Sequence, residues 1–399
     1  MMTVALKPVA TSRAALRIAS REACADGSPS LTAAMPSRNE LNFSAGPGAL
    51  PTPVLAQAQA AIHALPETGL SVLGMSHRSA WFAQVLHDAE HDIRMLLDAP
   101  ASRRILFLQG GSSLQFSMIP MNFSLGPTAA ADYVVSGYWS RKSLCEARPV
   151  VDARVAWDGA SGGYRKLPTW SALKLAAGGS YLHYVSNETV EGLQFRDPPD
   201  LDDRPAICDM SSDFLSRRVD VSRFGMIYAH AQKNLGPAGV TVALIDEALL
   251  DRVPADLPPM LDFRTHVAHG SNYNTPPVFA IYVTGLVARW LRTEFGGLER
   301  LEARNRRKAA TIYDALADLE EMIELHADPA VRSTMNVAFR FRDARLQSMF
   351  LDEAAVRGFS GLEGHRSIGG LRISLYNAVS EAAVGELAGF IKTFAATHG

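Results

Sequence analysis

The stretch Tyr228-Ala229-His230-Ala231-Gln232-Lys233-Asn234-Leu235-Gly236-Pro237 places a lysine after an apolar run and before a Gly-Pro turn. An apolar run bounded by turn residues predicts a buried strand, so we expect Lys233 in a loop at the end of that strand. A lysine in this position is well placed to form a Schiff base, provided that burial lowers its pKa. A lysine in a solvated surface loop is the alternative, and the stretch alone leaves both open.

A carboxylate ends another apolar run upstream, at Ala206-Ile207-Cys208-Asp209. A pyridoxal ring needs an acid beside its ring nitrogen, because the protonated ring then accepts electrons. Asp209 fits that role. A turn or helix-cap aspartate is the alternative reading, and Asp213 is a nearby competitor.

Small residues follow a third apolar run, at Gln109-Gly110-Gly111-Ser112-Ser113. Backbone N–H groups between a strand and a helix point at an anion, and the helix dipole favours negative charge there, so this turn could hold a phosphate. Trp139, after Gly137-Tyr138, could stack on a ring. A simple helix cap and ordinary core packing are the respective alternatives.

Two pairs of histidine and arginine remain, His77-Arg78 and His365-Arg366, the second followed by Arg372. Arginine offers a planar fork of donors and histidine adds another, so each pair is a compact anion site. Two such pairs in Gly/Ser-bounded turns indicate a substrate with more than one anionic group.

The order of apolar runs predicts an α/β fold. Strands and helices alternate through the first two-thirds of the chain, which indicates a mainly parallel sheet covered by helices. A long charged helix, Leu298 to Leu319, then begins a smaller α+β unit with strands near Val337–Phe341 and Leu371–Leu375. We therefore expect a large cofactor-binding domain over 51–297, and a small domain formed by 41–50 and 298–399.

Several motifs, in one order from Leu41 to the C-terminus, resemble those of the phosphoserine aminotransferases, class-V aminotransferases among the fold type I pyridoxal-phosphate enzymes. The stretches that carry the resemblance are Asn42-Phe43-Ser44-Ala45-Gly46-Pro47, Ser76-His77-Arg78-Ser79, Gly137-Tyr138-Trp139, Ser186-Asn187-Glu188-Thr189, Asp209-Met210-Ser211-Ser212, Ala231–Gly239, Tyr273-Asn274-Thr275-Pro276-Pro277, and Gly364-His365-Arg366 through Gly369-Gly370-Leu371-Arg372. The resemblance implies an aspartate-aminotransferase-like large domain with a smaller C-terminal domain.

The resemblance also implies roles for single residues. Around the ring of pyridoxal 5'-phosphate it implies Lys233 as the Schiff-base lysine, Asp209 at the pyridine nitrogen, Trp139 stacked on the ring and Thr189 at the ring hydroxyl. At the cofactor phosphate it implies Ser112, Ser113 and Gln232, with Asn274 and Thr275 supplied by the second copy of a homodimer. For the substrate it implies Arg372 at the α-carboxylate, and His77, Arg78, His365 and Arg366 at the phosphate or at the side-chain carboxylate of glutamate.

The implied reaction transfers the amino group of L-glutamate to 3-phosphooxypyruvate, giving O-phospho-L-serine and 2-oxoglutarate in serine biosynthesis. A second role with 4-phosphooxy-L-threonine in pyridoxine biosynthesis stays open. One departure is visible: many family members carry an arginine in the Gly110–Ser113 turn, at the position that Ser113 occupies here. A backbone amide still serves a phosphate, so the departure concerns only the contribution of that side chain.

Three alternatives remain beside this reading. Another fold type I pyridoxal-phosphate enzyme, such as a lyase or desulfurase, is the first, and the lack of a cysteine in a mobile-loop motif counts against a desulfurase. A zinc peptidase is the second, because His87-Asp88-Ala89-Glu90-His91 matches the pattern H-x-x-E-H. The third is a binding module that lost its chemistry, and retention of Lys233 and Asp209 argues against it.

Composition limits the partners and the cellular compartment that we expect for the protein. The net charge is -2 with both signs interspersed, which favours neither a nucleic-acid nor a membrane partner. Three widely separated cysteines without a CxxC pair indicate a reducing compartment, and we expect the cytoplasm. Residues 1–40 are rich in Ala, Ser and Arg, which is typical of an organellar transit peptide; a disordered tail or a true start at Met35 are the alternatives.

Overall fold

The computed structural model describes residues 38–126, 129–201 and 204–399. The predicted N-terminal extension therefore lies almost wholly outside the described residues, and its interpretation as a targeting segment stays a prediction. None of the helices in the described part is both long and apolar enough to cross a bilayer.

Twelve strands occur in the described part of the chain and form three sheets. They are β1 (Arg103–Leu108), β2 (Ala130–Val135), β3 (Asp152–Asp158), β4 (Leu182–Val185), β5 (Asn187–Glu188), β6 (Leu193–Gln194), β7 (Ala206–Asp209), β8 (Met226–His230), β9 (Thr241–Asp246), β10 (Ile323–Leu325), β11 (Asn336–Phe341) and β12 (Leu371–Ser374). The largest sheet has seven strands in the order β1-β9-β8-β7-β4-β2-β3. Only β9 runs against its neighbours, so the sheet is mainly parallel, as predicted.

Ten α-helices connect and cover these strands in the described part. They are α1 (Thr52–His63), α2 (Ala80–Leu97), α3 (Gly111–Phe123), α4 (Tyr138–Ala147), α5 (Ala231–Asn234), α6 (Phe263–Ala268), α7 (Val278–Phe295), α8 (Leu298–Ala317), α9 (Ala344–Val356) and α10 (Glu381–His398). The prediction of an α/β fold is confirmed.

The large sheet is buried on both faces. Side chains alternate along β1, so that Ile105 and Phe107 belong to one apolar cluster, with α2 and α7. Leu106 and Leu108 belong to the other, with α3 and α4. Burial on both faces explains why these strands read as continuous apolar runs rather than as alternating patterns.

A separate apolar cluster, which we call the small core, unites the two ends of the described chain. Leu41 and Phe43 pack there with side chains from α8 to α10 and from the three-stranded antiparallel sheet β10-β11-β12. The N–H of Phe43 donates to the carbonyl of Ser360 at 2.9 Å, and the N–H of Ser374 donates to the carbonyl of Phe43 at 3.1 Å. The division into domains stays a prediction.

Most predicted elements occur within a few residues of their expected bounds, and three differences stand out. Lys233 lies in α5, a four-residue helix, rather than in an open loop. The helix expected after the Gln109–Ser113 stretch begins at Gly111, so the glycine turn forms its first residues. The sequence reading missed α4 and β3, because α4 begins without a local side-chain cap and β3 is an edge strand with a largely exposed pattern.

Candidate active site

The candidate site lies where strands of the large sheet end. The parallel strands β2, β4, β7 and β8, together with β1, all end at one edge, which is where α/β sheets bind ligands. The segments that follow these strands carry most of the predicted cofactor residues. They are Gly110–Ser113, Gly137–Trp139, Ser186–Thr189, Asp209–Ser212 and Ala231–Lys233.

Lys233 lies among polar groups at the centre of this edge. Its Nζ donates to Thr189 Oγ1 at 2.7 Å and to Ser212 Oγ at 3.2 Å, and lies 5.1 Å from the centre of the Trp139 ring. Burial lowers the pKa of Lys233 to about 8, while the charge of Asp209 acts in the opposite direction. A lysine with this pKa releases its proton near neutral pH, which is what a nucleophilic amine requires.

Asp209 is the buried carboxylate at the end of β7. Its Oδ1 accepts hydrogen bonds from the N–H and the hydroxyl of Ser211, at 2.8 Å and 2.5 Å. Its Oδ2 accepts one from the Ser112 hydroxyl at 3.2 Å. Two donors therefore fix the orientation of the carboxylate, and the second oxygen has a single long contact that a stronger donor could replace.

The glycine turn after β1 has a backbone that only glycine adopts readily. Gly110 and Gly111 have φ of 88° and 70°, and a side chain at Gly111 would approach His230 Cε1 to 3.2 Å. The N–H of Ser112 donates to Nε2 of His230, and burial lowers the pKa of His230 to about 4, so this ring is a neutral acceptor. The Ser113 side chain, by contrast, is exposed.

Trp139 stands on the first turn of α4, which two buried glutamates hold in place. Glu188 accepts from the N–H of Trp139 at 3.1 Å and of Ser140 at 3.0 Å, and Glu191 accepts from the N–H of Tyr138 at 2.9 Å. The carboxyl oxygens of these two glutamates satisfy donors that a helix start leaves open. Burial raises the pKa of both, that of Glu191 to about 8. The Trp139 Nε1 is buried without a hydrogen-bond partner.

The remaining cofactor candidates lie near the same edge with fewer contacts. The carbonyl of Gln232 accepts from the N–H of Gly48 at 2.8 Å, and its side chain is half-buried. Asn274 and Thr275 are exposed, and the carbonyl of Thr275 accepts from Gln109 Nε2 at 2.8 Å. Thr275 thus lies beside the glycine turn of its own chain through its backbone.

Arg372, on β12, is the predicted carboxylate-binding arginine. Burial lowers the pKa of its guanidinium, and its Nε is buried without a hydrogen-bond partner. Arg372 also contributes to lowering the pKa of Lys233, which places the two cations within range of each other. A buried guanidinium with a free donor is suited to an anionic ligand.

The two His-Arg pairs occupy different places. His365 packs on Tyr138 with ring centres 4.7 Å apart, beside the Trp139 turn, and Arg366 is exposed. His77 and Arg78 instead contact Asn272, through bonds of 2.7 Å and 3.5 Å. Within the described chain, no hydrogen bond or ring contact joins one pair to the other, and each pair contacts a different part of the fold.

The zinc-peptidase alternative is not supported by the helix that carries its motif. His87 and His91 are exposed on α2, and Glu90 pairs with Arg94 at 2.6 Å. The described residues contain no group of three His, Cys, Asp or Glu side chains able to hold a metal ion.

The donor set at the sheet edge fits pyridoxal phosphate. A lysine with a lowered pKa, a buried carboxylate on the next strand and an indole lie together, and a glycine turn next to them opens a helix. Comparison with known proteins agrees: the family model for class-V aminotransferases matches residues 40–387. The chain belongs to the class-V aminotransferases. The predictions of a transaminase and of pyridoxal phosphate as its cofactor are thereby confirmed.

Individual relatives support the same assignment. The chain is 45% identical to a phosphoserine aminotransferase of Chromobacterium violaceum over 359 residues, covering 90% of this chain and 99% of that protein. A solved phosphoserine aminotransferase of Bacillus circulans subsp. alkalophilus has a TM-score of 0.86 at 44% identity, covering 90% and 98% of the two chains. One of Trichomonas vaginalis, solved with PLP bound, has a TM-score of 0.82 at 37% identity, covering 88% and 99%.

Sequence reasoning assigned no role to four residues described above that shape this site: Ser211, Ser212, His230 and Glu191. Ser211 and Ser212 stood in a matching motif, and a small polar pair after Asp209 could have suggested that they hold its carboxylate. His230 could have been noticed in the sequence because it is a polar residue at the end of an apolar strand. Glu191 gave no signal, because its role depends on contacts that only the fold creates.

Proposed function

We propose that this transaminase moves the amino group of L-glutamate to 3-phosphooxypyruvate, giving O-phospho-L-serine and 2-oxoglutarate. The observation that carries the proposal is that Asp209 and Arg372 both lie close enough to Lys233 to influence its pKa, in a chain whose relatives at 44 to 46% identity are named phosphoserine aminotransferases. The predicted residue roles are part of this proposal.

In this proposal, pyridoxal phosphate supplies an electron-accepting ring that stabilises the charge left when the substrate Cα loses its proton. Lys233 Nζ first holds the cofactor, then takes that proton and returns it during transfer, acting as general base and acid. Its pKa of about 8 suits both directions near neutral pH. Thr189 and Ser212 hold the amine in place through their hydroxyls.

Asp209 has a different role, which is to keep a negative charge beside the ring nitrogen. Ser211 fixes the carboxylate from one side, so that Oδ2 faces the site with only the Ser112 hydroxyl as donor. Trp139 covers the ring, and the glutamates behind it hold the helix that carries the indole. Arg372 binds the α-carboxylate of each substrate in turn through its free donor.

Recognition of the second anionic group is proposed for His365 and Arg366, and for His77 and Arg78. Since the two pairs contact different parts of the fold, we propose a homodimer in which a second copy brings His77 and Arg78, with Asn274 and Thr275, to the site. Mixing inactive Lys233→Ala protein with an Asn274→Ala/Thr275→Ala variant tests this. Mixed dimers should regain activity in the site that keeps both sets, whereas additive activities would contradict sharing.

The proposed reaction is tested by a two-step absorbance titration of the purified holoenzyme. L-glutamate alone should bleach the yellow cofactor absorbance, and 3-phosphooxypyruvate should restore it far better than oxaloacetate does. If glutamate bleaches the protein but both oxo acids restore the colour equally, the phosphate-specific part of the proposal fails. The pyridoxine-pathway role stays a prediction, and the same titration with 4-phosphooxy-L-threonine as amino donor tests it.

We also propose that the enzyme works in the cytoplasm. The three separated cysteines, without a CxxC pair, suit a reducing compartment. Fractionation of cells that express the full chain tests this, and enrichment in an organelle would favour the transit-peptide reading of residues 1–40.

A further inference from the structure

The residues assigned so far to a phosphate at the glycine turn are all uncharged, so a cation beside them would strengthen its binding; they are Ser112, Ser113, Gln232, Asn274 and Thr275. The doubly negative charge of the phosphate would lie where α3 begins, among backbone N–H groups. His230 cannot supply positive charge, because it accepts the Ser112 N–H and burial lowers its pKa to about 4. Lys233 is already held by Thr189 and Ser212. Only uncharged amide and hydroxyl donors would then face a full dianion.

Lys142 is a cation that reaches this turn from a neighbouring helix. It projects from the second turn of α4 across to α3, and its Nζ donates to Ser113 Oγ at 2.7 Å. The same ammonium lies 5.9 Å from the centre of the Trp139 ring, where Lys233 Nζ lies at 5.1 Å. Two ammonium groups therefore lie near the Trp139 ring: that of Lys233, and that of Lys142, which also contacts the glycine turn.

Acidic residues do not compete for this ammonium. In residues 38–126, 129–201 and 204–399, no carboxylate forms an ion pair with Lys142, whereas Lys166, another lysine of the chain, pairs with Asp328 at 3.6 Å. The glutamates at the start of α4 are already used by its backbone N–H groups. A half-buried lysine whose one hydrogen-bond partner among the described residues is a hydroxyl retains the donors it needs for an anion.

We propose that Lys142 is a cofactor-phosphate residue, which brings its ammonium from α4 to the Gly110–Ser113 turn and selects the phosphorylated form of the cofactor. The proposal rests on the proposed function, because it takes the phosphate to lie at this turn. It also gives Ser113 a second role, since its hydroxyl positions the lysine rather than serving the phosphate alone.

The test compares two ligands that differ only in the phosphate. Apo-protein is titrated with pyridoxal 5'-phosphate and with pyridoxal, and the ratio of the two dissociation constants is measured for the native chain, Lys142→Met and Lys142→Arg. We expect Lys142→Met to weaken binding of the phosphorylated ligand on the order of tenfold, while pyridoxal binding stays within about twofold. Lys142→Arg should restore most of the ratio, because it keeps the charge.

The controls separate a phosphate-binding role from a structural role and from a role at the substrate. Lys392→Met removes an exposed lysine of α10 and should leave the ratio unchanged. An equal loss for both ligands in Lys142→Met would make Lys142 a structural residue and overturn the proposal, as would an unchanged ratio. If the ratio holds but the KM for 3-phosphooxypyruvate rises, Lys142 serves the substrate phosphate instead, and the proposal is equally overturned.

Failure of the proposed function would look different. A native protein that binds pyridoxal 5'-phosphate but is not bleached by glutamate would refute the reaction and leave the Lys142 ratio measurable. The two proposals therefore stand or fall on separate readouts.

Discussion

Replacing Glu191 with glutamine should change how the stability of the enzyme depends on pH. Glu191 is 2% exposed; its Oε1 accepts the Tyr138 N–H and its Oε2 has no partner. Burial, and then the charge of Glu188, raises the pKa of Glu191 from 4.5 to about 8. The folded protein thus keeps a proton that the unfolded chain releases above pH 4.5.

The sign of the effect follows from that difference. A carboxyl whose pKa is raised by folding contributes stability that is complete below about pH 4.5 and is lost as the pH rises through 8. Within this window the loss is roughly 1 kcal/mol per pH unit, hence about 2 kcal/mol between about pH 5.5 and pH 7.5. Glutamine cannot ionise, so Glu191→Gln should gain that amount relative to the native enzyme as the pH rises.

Thermal unfolding of the holoenzyme, followed by circular dichroism at several pH values, measures this directly. The midpoint of Glu191→Gln should move upward by a few degrees relative to the native midpoint across that range. Glu320→Gln, at an exposed site, is the matched control and should follow the native curve. Parallel curves for Glu191→Gln and the native enzyme would refute the reasoning, because they would show that Glu191 is already charged.

Three further predictions concern the site and its support. Lys233→Ala should lower turnover by at least about a thousandfold while weak cofactor binding persists; substantial residual turnover in a coupled assay would remove Lys233 from the reaction. Gly137→Ala should destabilise the enzyme by about 1 to 3 kcal/mol, because its Cβ would lie 2.5 Å from Glu191 Oε2. An unchanged unfolding midpoint would show that the Glu191 side chain moves aside at little cost in free energy. Lys308→Met should cost about 3 kcal/mol or more, since the buried Nζ donates to the carbonyls of Leu375, Tyr376 and Val379 at 2.9 to 3.1 Å. A denaturation midpoint equal to that of the native enzyme would mean that water replaces the Lys308 ammonium at the three carbonyls.

The parts of the fold that could be predicted from sequence are those whose signal is local. Strands β7 and β11 carried their own apolar pattern, and each occurs within one residue of the run that predicted it. Helix α4 was missed because its first N–H groups are bound by Glu188 and Glu191, about fifty residues later in the chain. No property of the sequence around Tyr138 records those partners.

The same distinction holds for the candidate site. Lys233 and Asp209 could be found because each is a charged residue at the end of an apolar strand, and parallel strands bring such ends to one edge. The pattern at His87 and His91 is not specific, because two histidines four residues apart can share a metal on any helix; both lie on the polar side of the apolar stripe of α2, and both are exposed. Lys142 could not have been singled out, because its significance depends on a contact between two helices.

The small core has a consequence for the order in which the protein is made. Phe43 is among the first described residues, yet its backbone pairs with Ser360 and Ser374 near the far end of the chain. The same segment then passes Lys233, where the N–H of Gly48 donates to the carbonyl of Gln232. A growing chain cannot dock this segment until the ribosome has nearly finished, and contacts so distant in sequence form slowly. The segment that passes Lys233 is therefore among the last parts of the protein to dock, and a chain truncated near its C-terminus cannot complete these contacts.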